Sequence, residues 1–453
     1  MRPDSIDDEG SYHEACRIGA HMMGGASSSS LAHEAVLGME MNLLNQGWPV
    51  GQSLGALPEV RKRLGLGRPA SREAVTILEA RGLLDVRRGP GGGLFVAAPE
   101  LDDVAGAVLM YLALTGGTLG CISEFRLLVW RMIVRTALQR GPGHPLPDSM
   151  RDPNGLGVTL AEWTGNPAMA LLAHLAEVLV RISHGKGAPT RDTALENAIR
   201  AGKLETALTR LDTLLGPVDH DAPVIPLALP EHGFSLAGRK SAMALAARMA
   251  RELSEKPTTQ EAEWETADRL GYTEAAVRQA RRILQDFGIV RCRQGRKGAE
   301  LAPPAAPTGV IRLLAACLMA GVAAAPDMRT CISFLITAAP ALAAQRVATS
   351  GGPPSQPLSM AAKPDPFDAL TLDNRVLDLS GNPLLAIVVR ALGLANIFSA
   401  NDPLVPPHLG DVVAINHRIM RAIKDGDVSA ADALAQAKFQ IMETPLGDYP
   451  RVA

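Results

Sequence analysis

Apolar positions along this chain fall mostly at helical spacing, and they do so in two successive passes. Leu31 to Gln46 has helical periodicity after a serine run suited to capping, and predicts a helix. Leu57 to Leu64 predicts a short basic helix opened by Leu57-Pro58. A third helix begins at Pro69, where proline is tolerated, and ends at Gly82. Leu83 to Val86 and Leu94 to Val96 are β-rich and flank a glycine tip, which predicts a hairpin. Leu101 to about Leu215 is then helical, broken by the Pro/Gly-rich stretch Gly141 to Gly155. Gly216 to Gly233 is rich in proline, has little periodicity and reads as a linker. The pattern then restarts. Lys240 to Ser254, Glu261 to Leu270 and Thr273 to Phe287 predict helices, Ile289 to Leu301 a hairpin, and Pro307 to Glu443 a helical stretch broken at Ser350 to Pro366.

The two passes share residues as well as rhythm. REAVTILEARGLLDVRRGPGGG (Arg72 to Gly93) aligns without a gap with RQARRILQDFGIVRCRQGRKGA (Arg278 to Ala299), at an offset of 206 and with eight identities in 22 positions. Self-similarity of this kind points to a duplicated unit. The expected architecture is mainly α: two winged helix-turn-helix domains alternating with two all-α helical bundles. The expected boundaries are a flexible tail at 1–30, a first winged domain at 31–100, a helical domain at 101–215, a linker at 216–235, a second winged domain at 236–303 and a second helical domain at 304–446.

Composition refines this picture. Apolar residues make up 47% of 453 residues, enough for packed cores, while aromatics are only 4%, which favours small-residue helix packing. Net charge is −2, so global charge gives no argument for nucleic acid. Local charge does. Leu57 to Arg88 carries +4 and Glu263 to Ala299 carries +3, which leaves −9 for the rest. Two basic islands on an acidic body suit a modular DNA binder. Cys16, Cys121, Cys292, Cys317 and Cys331 are scattered without a CxxC, which points to a reducing, cytoplasmic setting. The first 30 residues have no signal-peptide pattern. The longest apolar run, Leu313 to Pro326, is too short to span a bilayer and reads as a buried helix, so no membrane partner is expected.

The third helix of each pass is where DNA chemistry would sit. Ala74, Ile77 and Leu78 share an inward face, and Arg68, Arg72 and Thr76, four apart, share another. An arginine at a helix N-terminus can bond guanine bidentately or hold a phosphate. In the second pass Ala280, Ile283 and Leu284 repeat the inward face, and Glu274, Arg278 and Arg282 occupy the outer positions. The hairpin tips carry Arg88, Gly91 and Gly92 in one copy and Arg296 in the other; glycines there permit close backbone approach to a phosphate. Taken singly, an Arg-bearing helix is a solvated face and a GPGGG turn is a turn; together and twice over, they favour DNA.

From Leu57 to Val96 the chain reads LPEVRKRLGLGRPASREAVTILEARGLLDVRRGPGGGLFV, which resembles the GntR superfamily of bacterial transcription regulators in its FadR-like branch. The resemblance implies that Arg61, Arg68, Arg72 and the tip around Gly91 touch DNA; Ser71 stands where the family usually has Val. The full set of expected DNA-facing residues is Arg61, Arg68, Ser71, Arg72, Arg88, Gly91, Gly92, Arg278, Arg282 and Arg296. The second copy is expected to be weaker or differently specific, because Glu274 replaces the first recognition arginine. Glu124-Phe125-Arg126, Trp163 to Pro167 (WTGNP) and Leu379 to Pro383 (LSGNP) resemble the family's effector-binding FCD domain, so Arg126 either holds a small anionic effector or is a structural ion-pair residue. Asn166 and Asn382 read as helix N-caps before proline.

The resemblance also implies a metal held by one Asp and three His. The corresponding positions are Gly157 and Asp373, Thr193 and His417, and Leu214 and Lys438. One imidazole does not make such a site, so neither metal nor cofactor is expected. No HExxH, GxSxG or Walker lysine is present, which argues against an enzyme. The expected function is a DNA-binding regulator with its two units acting as a monomeric pseudo-dimer, or as a homodimer, on an imperfect palindrome. The alternatives are a sensing or interaction module that has lost DNA binding, and a metal-dependent enzyme.

Overall fold

The computed structural model describes residues 6–23, 31–63, 65, 67–140, 155–185, 189, 191–216, 222, 224, 239–256, 258–259, 261–292, 299–301, 307–321, 323–350, 366–399 and 409–443. The fold is mainly α, with nineteen helices and six short strands among these residues. After α1 (Ile6–Met22), the first set runs α2 (Leu31–Asn45), β1 (Ser53–Gly55), α3 (Leu57–Arg63), α4 (Arg68–Ala80), β2 (Leu84–Arg87) and β3 (Gly93–Val96). Six helices follow: α5 (Leu101–Leu114), α6 (Leu119–Gln139), α7 (Leu156–Trp163), α8 (Pro167–His184), α9 (Thr193–Arg200) and α10 (Leu204–Leu215). The same order then recurs as α11 (Arg239–Glu255), β4 (Thr258–Thr259), α12 (Glu263–Leu270), α13 (Glu274–Asp286), β5 (Val290–Cys292) and β6 (Ala299–Leu301). The last six helices are α14 (Thr308–Ala320), α15 (Ala325–Ser350), α16 (Pro366–Leu379), α17 (Pro383–Ser399), α18 (Leu409–Lys424) and α19 (Val428–Glu443).

Local chemistry sets the ends of the helices that matter most. Pro69 lies in the first turn of α4, where its fixed φ suits the helix and its missing N–H costs nothing. Gly82 (φ 72°) ends that helix and Gly288 (φ 76°) ends α13, both in left-handed backbone. Each three-stranded sheet is antiparallel with its first strand beside its third, in the orders β1-β3-β2 and β4-β6-β5. The hairpins were legible from the glycine-rich tips between their strands; β1 and β4, short and paired to strands far along the chain, were not.

Apolar side chains from both sets join into one continuous core reaching from Ala15 to Ala431. The proline-rich connection is partly tied to it: the Ala222 carbonyl accepts from the Leu119 amide (2.7 Å), the Val224 amide donates to Gly117 (3.1 Å), and Val224 is buried. The run Leu313 to Pro326 is divided between α14 and α15 at Gly321. Helix α15 is the one helix among the described residues long and apolar enough to cross a membrane, and it packs on α6, α8 and α16 to α19.

The N-terminal stretch differs from its reading as a flexible tail. Helix α1 packs on α16 and α17. His21 Nε2 meets Thr371 Oγ1 at 2.8 Å, the Asn374 amide donates to the His21 carbonyl, and the Arg17 guanidinium lies over the Phe367 ring. Gly393 of α17 leaves room for Met22; a Cβ there would overlap the Met22 methyl. The partners lie some 350 residues downstream, so no local periodicity signals them.

Four charged side chains are buried where α2, α4, α13 and α14 meet. Arg81 follows α4 and donates to Glu40 (2.6 Å) and to the Gly309 carbonyl (2.8 Å), and its guanidinium lies 3.0 Å from Asp286. Arg312 donates to Glu40 and, at 2.7 Å, to Asp286. Two cations and two carboxylates cancel, and each acid is shared by both arginines. Removing one member of such a group leaves a buried charge uncompensated, at about 3–5 kcal/mol. Glu40→Ala is therefore expected to lower the thermal midpoint sharply, while Arg200→Ala on an exposed helix end leaves it in place; calorimetry of both variants checks this.

Acid should weaken the same junction. Burial pushes the His33 imidazole below its usual value of 6.5. Burial also opposes ionisation of Asp286, but Arg81 and Arg312 outweigh it and hold that carboxyl below the ordinary carboxylate range. In both cases the unfolded chain binds protons that the native state refuses, so stability falls as pH falls. The His33 contribution is complete above about pH 6.5 and declines below it, and that of Asp286 declines below about pH 4. Melting curves from pH 7.5 to 5 should show a falling midpoint, and His33→Ala should flatten that fall.

Candidate nucleic-acid interface

Helix α4 sorts its residues by face. Ala74, Val75, Ile77 and Leu78 are buried, while Arg68 and Arg72 are exposed one turn apart at its N-terminal end. Arg61, half-buried, lies on the preceding α3. Arg61, Arg68, Arg72 and Arg88 have no carboxylate partner among the described residues. Helix α3 also exposes Lys62 and Arg63, both passed over in the sequence reading although they continue the basic run; Arg63 donates to the Leu54 carbonyl (3.3 Å).

The hairpin beside this helix is paired from Leu84↔Val96 to Arg87↔Gly93. Its tip is fixed by backbone. The Gly92 amide donates to the Gly89 carbonyl (2.9 Å), and Gly91 takes a left-handed φ of 74°. A Cβ on Gly92 would collide with the Arg87 carbonyl and lie 2.7 Å from that of Gly89. Arg88 stands exposed at this tip, and the Arg87 guanidinium stacks on Phe95 at 4.0 Å. Ser71 is a correction. It is 3% exposed and its hydroxyl donates to the Arg68 carbonyl (3.1 Å), so it faces the core and not a ligand. Its spacing of three and four from Ala74 and Val75 carried that signal.

The second set departs further from expectation. Arg278 is exposed but ion-paired to Glu263 (2.7 Å), whose hydrogen bond raises the arginine's pKa further. Arg282 turns sideways to Glu73 on α4 (2.6 Å) and donates to Gln285 (3.1 Å). Gln279 donates to the Thr76 carbonyl at 3.5 Å, so α13 lies alongside α4. Glu274 is exposed at the helix start. Arg296 lies outside the described residues.

In the first helical half, Arg126 is not open to an effector. Its guanidinium donates twice to Glu177, at 2.9 and 2.7 Å, and Trp130 donates to the same carboxylate (2.9 Å). The structural ion-pair alternative describes it. Trp130 also lies on Gly157, where a Cβ would fall 2.5 Å from the indole. No side chain, and so no ligand, fits at that position of the implied metal site. In the second half the Lys438 ammonium pairs with Asp373, and Asn416 donates to the same carboxylate (3.0 Å). A cationic side chain on the one carboxylate present does not fit a bound divalent ion.

Asn166 and Asn382 do cap their helices, accepting from the amides of Met169 (2.8 Å) and Leu385 (3.0 Å). Their side-chain amides reach further: Asn166 donates to the Asp327 carbonyl (3.1 Å) and Asn382 to that of Cys121 (3.0 Å). Burial pushes the Cys317 and Cys331 thiols up to about 12, which leaves them unreactive as nucleophiles.

The sequence matches no family model and no curated protein. Among solved structures, Streptococcus agalactiae GntR aligns over 41% of this chain and 98% of its own, at 23% identity and a TM-score of 0.22. At that score the alignment carries no argument about fold or function.

The tip geometry gives a test. Gly92→Ala should spread the hairpin end and displace Arg88 while leaving the thermal midpoint nearly unchanged, because the tip is solvent-exposed. Amide exchange of the Arg88 to Gly93 segment, compared between variant and parent, reads this directly.

Proposed function

We propose that the chain is a sequence-specific DNA-binding transcription regulator of the GntR type, working in the bacterial cytoplasm and without enzymatic activity. The observation that carries this reading is the pair Arg68 and Arg72, exposed and without carboxylate partners among the described residues at the start of α4, beside a hairpin tip bearing Arg88. A helix N-terminus with two outward arginines suits the major groove, and a glycine-rich cationic tip suits the flanking backbone. Arg61 lies on the helix that precedes α4 in the chain and serves phosphate contact. In this reading the winged domains are 31–100 and 236–303, and the helical domains are 101–215 and 304–446. Since Arg126 is held by Glu177, no anionic effector is assigned to it.

The two units are proposed to act as an intrachain pseudo-dimer. Two reciprocal contacts support this. At an offset of 206, Glu73 corresponds to Gln279 and Thr76 to Arg282. Glu73 meets Arg282 and Thr76 meets Gln279, so the same two positions touch in both directions. At the helical end, Cys121 corresponds to Asp327, and the two N-cap asparagines each reach the other's counterpart carbonyl. Residue i on j and j on i is what a two-fold interface produces.

Fluorescence anisotropy with duplex from upstream of the chain's own gene tests the reading. Arg72→Ala is expected to lose about 1–3 kcal/mol of binding if that side chain reads a base. Unchanged affinity at fixed salt would remove α4 as the reading helix.

A further inference from the structure

The two equivalent stretches 57–80 and 263–286 differ in electrostatics more than in shape. The first carries five Lys/Arg against three Asp/Glu, and the second four against five, so +2 faces −1. Pairing widens the gap. In the second stretch every arginine is engaged: Arg269 clamps Glu252 and Glu261, and Arg278 pairs with Glu263. Arg281 is buried on the Glu261 carbonyl and the Thr266 hydroxyl, and Arg282 pairs with Glu73. In the first stretch Arg61, Arg68 and Arg72 have no carboxylate partner among the described residues. Where Arg68 opens α4, exposed Glu274 opens α13.

These differences decide what a duplex would meet. For Arg278 to take a phosphate it must leave Glu263, and the released carboxylate would then face the same phosphates. Glu274 repels the backbone at the point where the other unit attracts it. Arg282 points along the protein toward α4, away from any groove that α13 would enter. What Arg282 does reach is useful elsewhere. Glu73 adjoins Arg72 on α4, and the Arg282 guanidinium neutralises a carboxylate that would otherwise oppose DNA beside the reading arginine.

We infer that only one of the two units reads the operator: α4 and its hairpin take a single unsymmetrical half-site, and α13 is a backing element whose Arg282 masks the charge of Glu73. This rests on the DNA-binding reading above and revises the imperfect palindrome expected from the repeat. Arg282 is a positioning residue; it touches α4, not the duplex.

The test uses the full chain. Selection from a random duplex library should recover an unsymmetrical motif, and anisotropy with that duplex should show one chain bound. Arg72→Ala should weaken binding at least about tenfold, while Arg278→Ala and Glu274→Ala should stay within about twofold of the parent. Arg282→Ala should weaken binding, and adding Glu73→Ala should restore it, a rescue that lost packing would not give. An inverted repeat bound by two chains, with Arg278→Ala still silent, supports the same assignment. An inverted repeat bound by one chain, with a tenfold loss on Arg278→Ala, overturns the inference and leaves the DNA-binding reading standing. A chain that enriches no sequence overturns both.

Discussion

Arg81, Glu40, Asp286 and Arg312 form the junction on which the arrangement of this molecule rests. Each set supplies one arginine and one carboxylate that pair with each other, and each of the four also pairs across to the other set. Glu40 of α2 meets Arg312 of α14 as well as Arg81, and Asp286 of α13 meets the arginine that follows α4 as well as Arg312. A desolvated charge tolerates only a partner at contact distance. Positions of α2, α4, α13 and α14 are thereby fixed against one another to the precision of a hydrogen bond. Helix α4 is anchored at its C-terminal end by this network and presents its N-terminal end outward. The rigidity of the exposed end is set by the buried end.

The two sets contribute unlike residues to that junction. At an offset of 206, Arg81 corresponds to Phe287, Glu40 to Ala246 and Arg312 to Gly106. Phe287 is buried and packs under the Arg81 guanidinium at 5.7 Å. One set thus supplies charge where the other supplies ring, methyl or nothing. Unlike residues at positions 206 apart let opposite charges meet at the junction. Among the described residues, the arginines of α4 stand without carboxylate partners and those of α13 are engaged, a difference that continues the one in the core.

Much of the fold was legible because it is carried by local pattern. The inward faces of α4 and α13, the glycines that end them, and the breaks between helical stretches follow from spacing and turn chemistry. The N-cap roles of Asn166 and Asn382 were readable from the proline that follows each. What was not legible depends on distance along the chain. The bond between Arg126 and Glu177 spans 51 residues, and that between Arg282 and Glu73 spans 209. Composition names the charged residues and leaves their partners open. The outward arginines of the first unit were identifiable; which arginines of the second unit would be spent on neighbouring carboxylates was not. Ser71 is a different case, since helical periodicity alone places it on the inner face.

The contact between Met22 and Gly393 ties the first helix of the chain to one of its last. A methyl group from one end fills a space that a side chain on α17 would otherwise take, and a larger residue at 393 would have to move the end of the Met22 side chain. The two ends of the sequence are in this sense a single packing unit. In the order of synthesis, the face of α1 that packs on α16 and α17 has no partner there until those helices have been made.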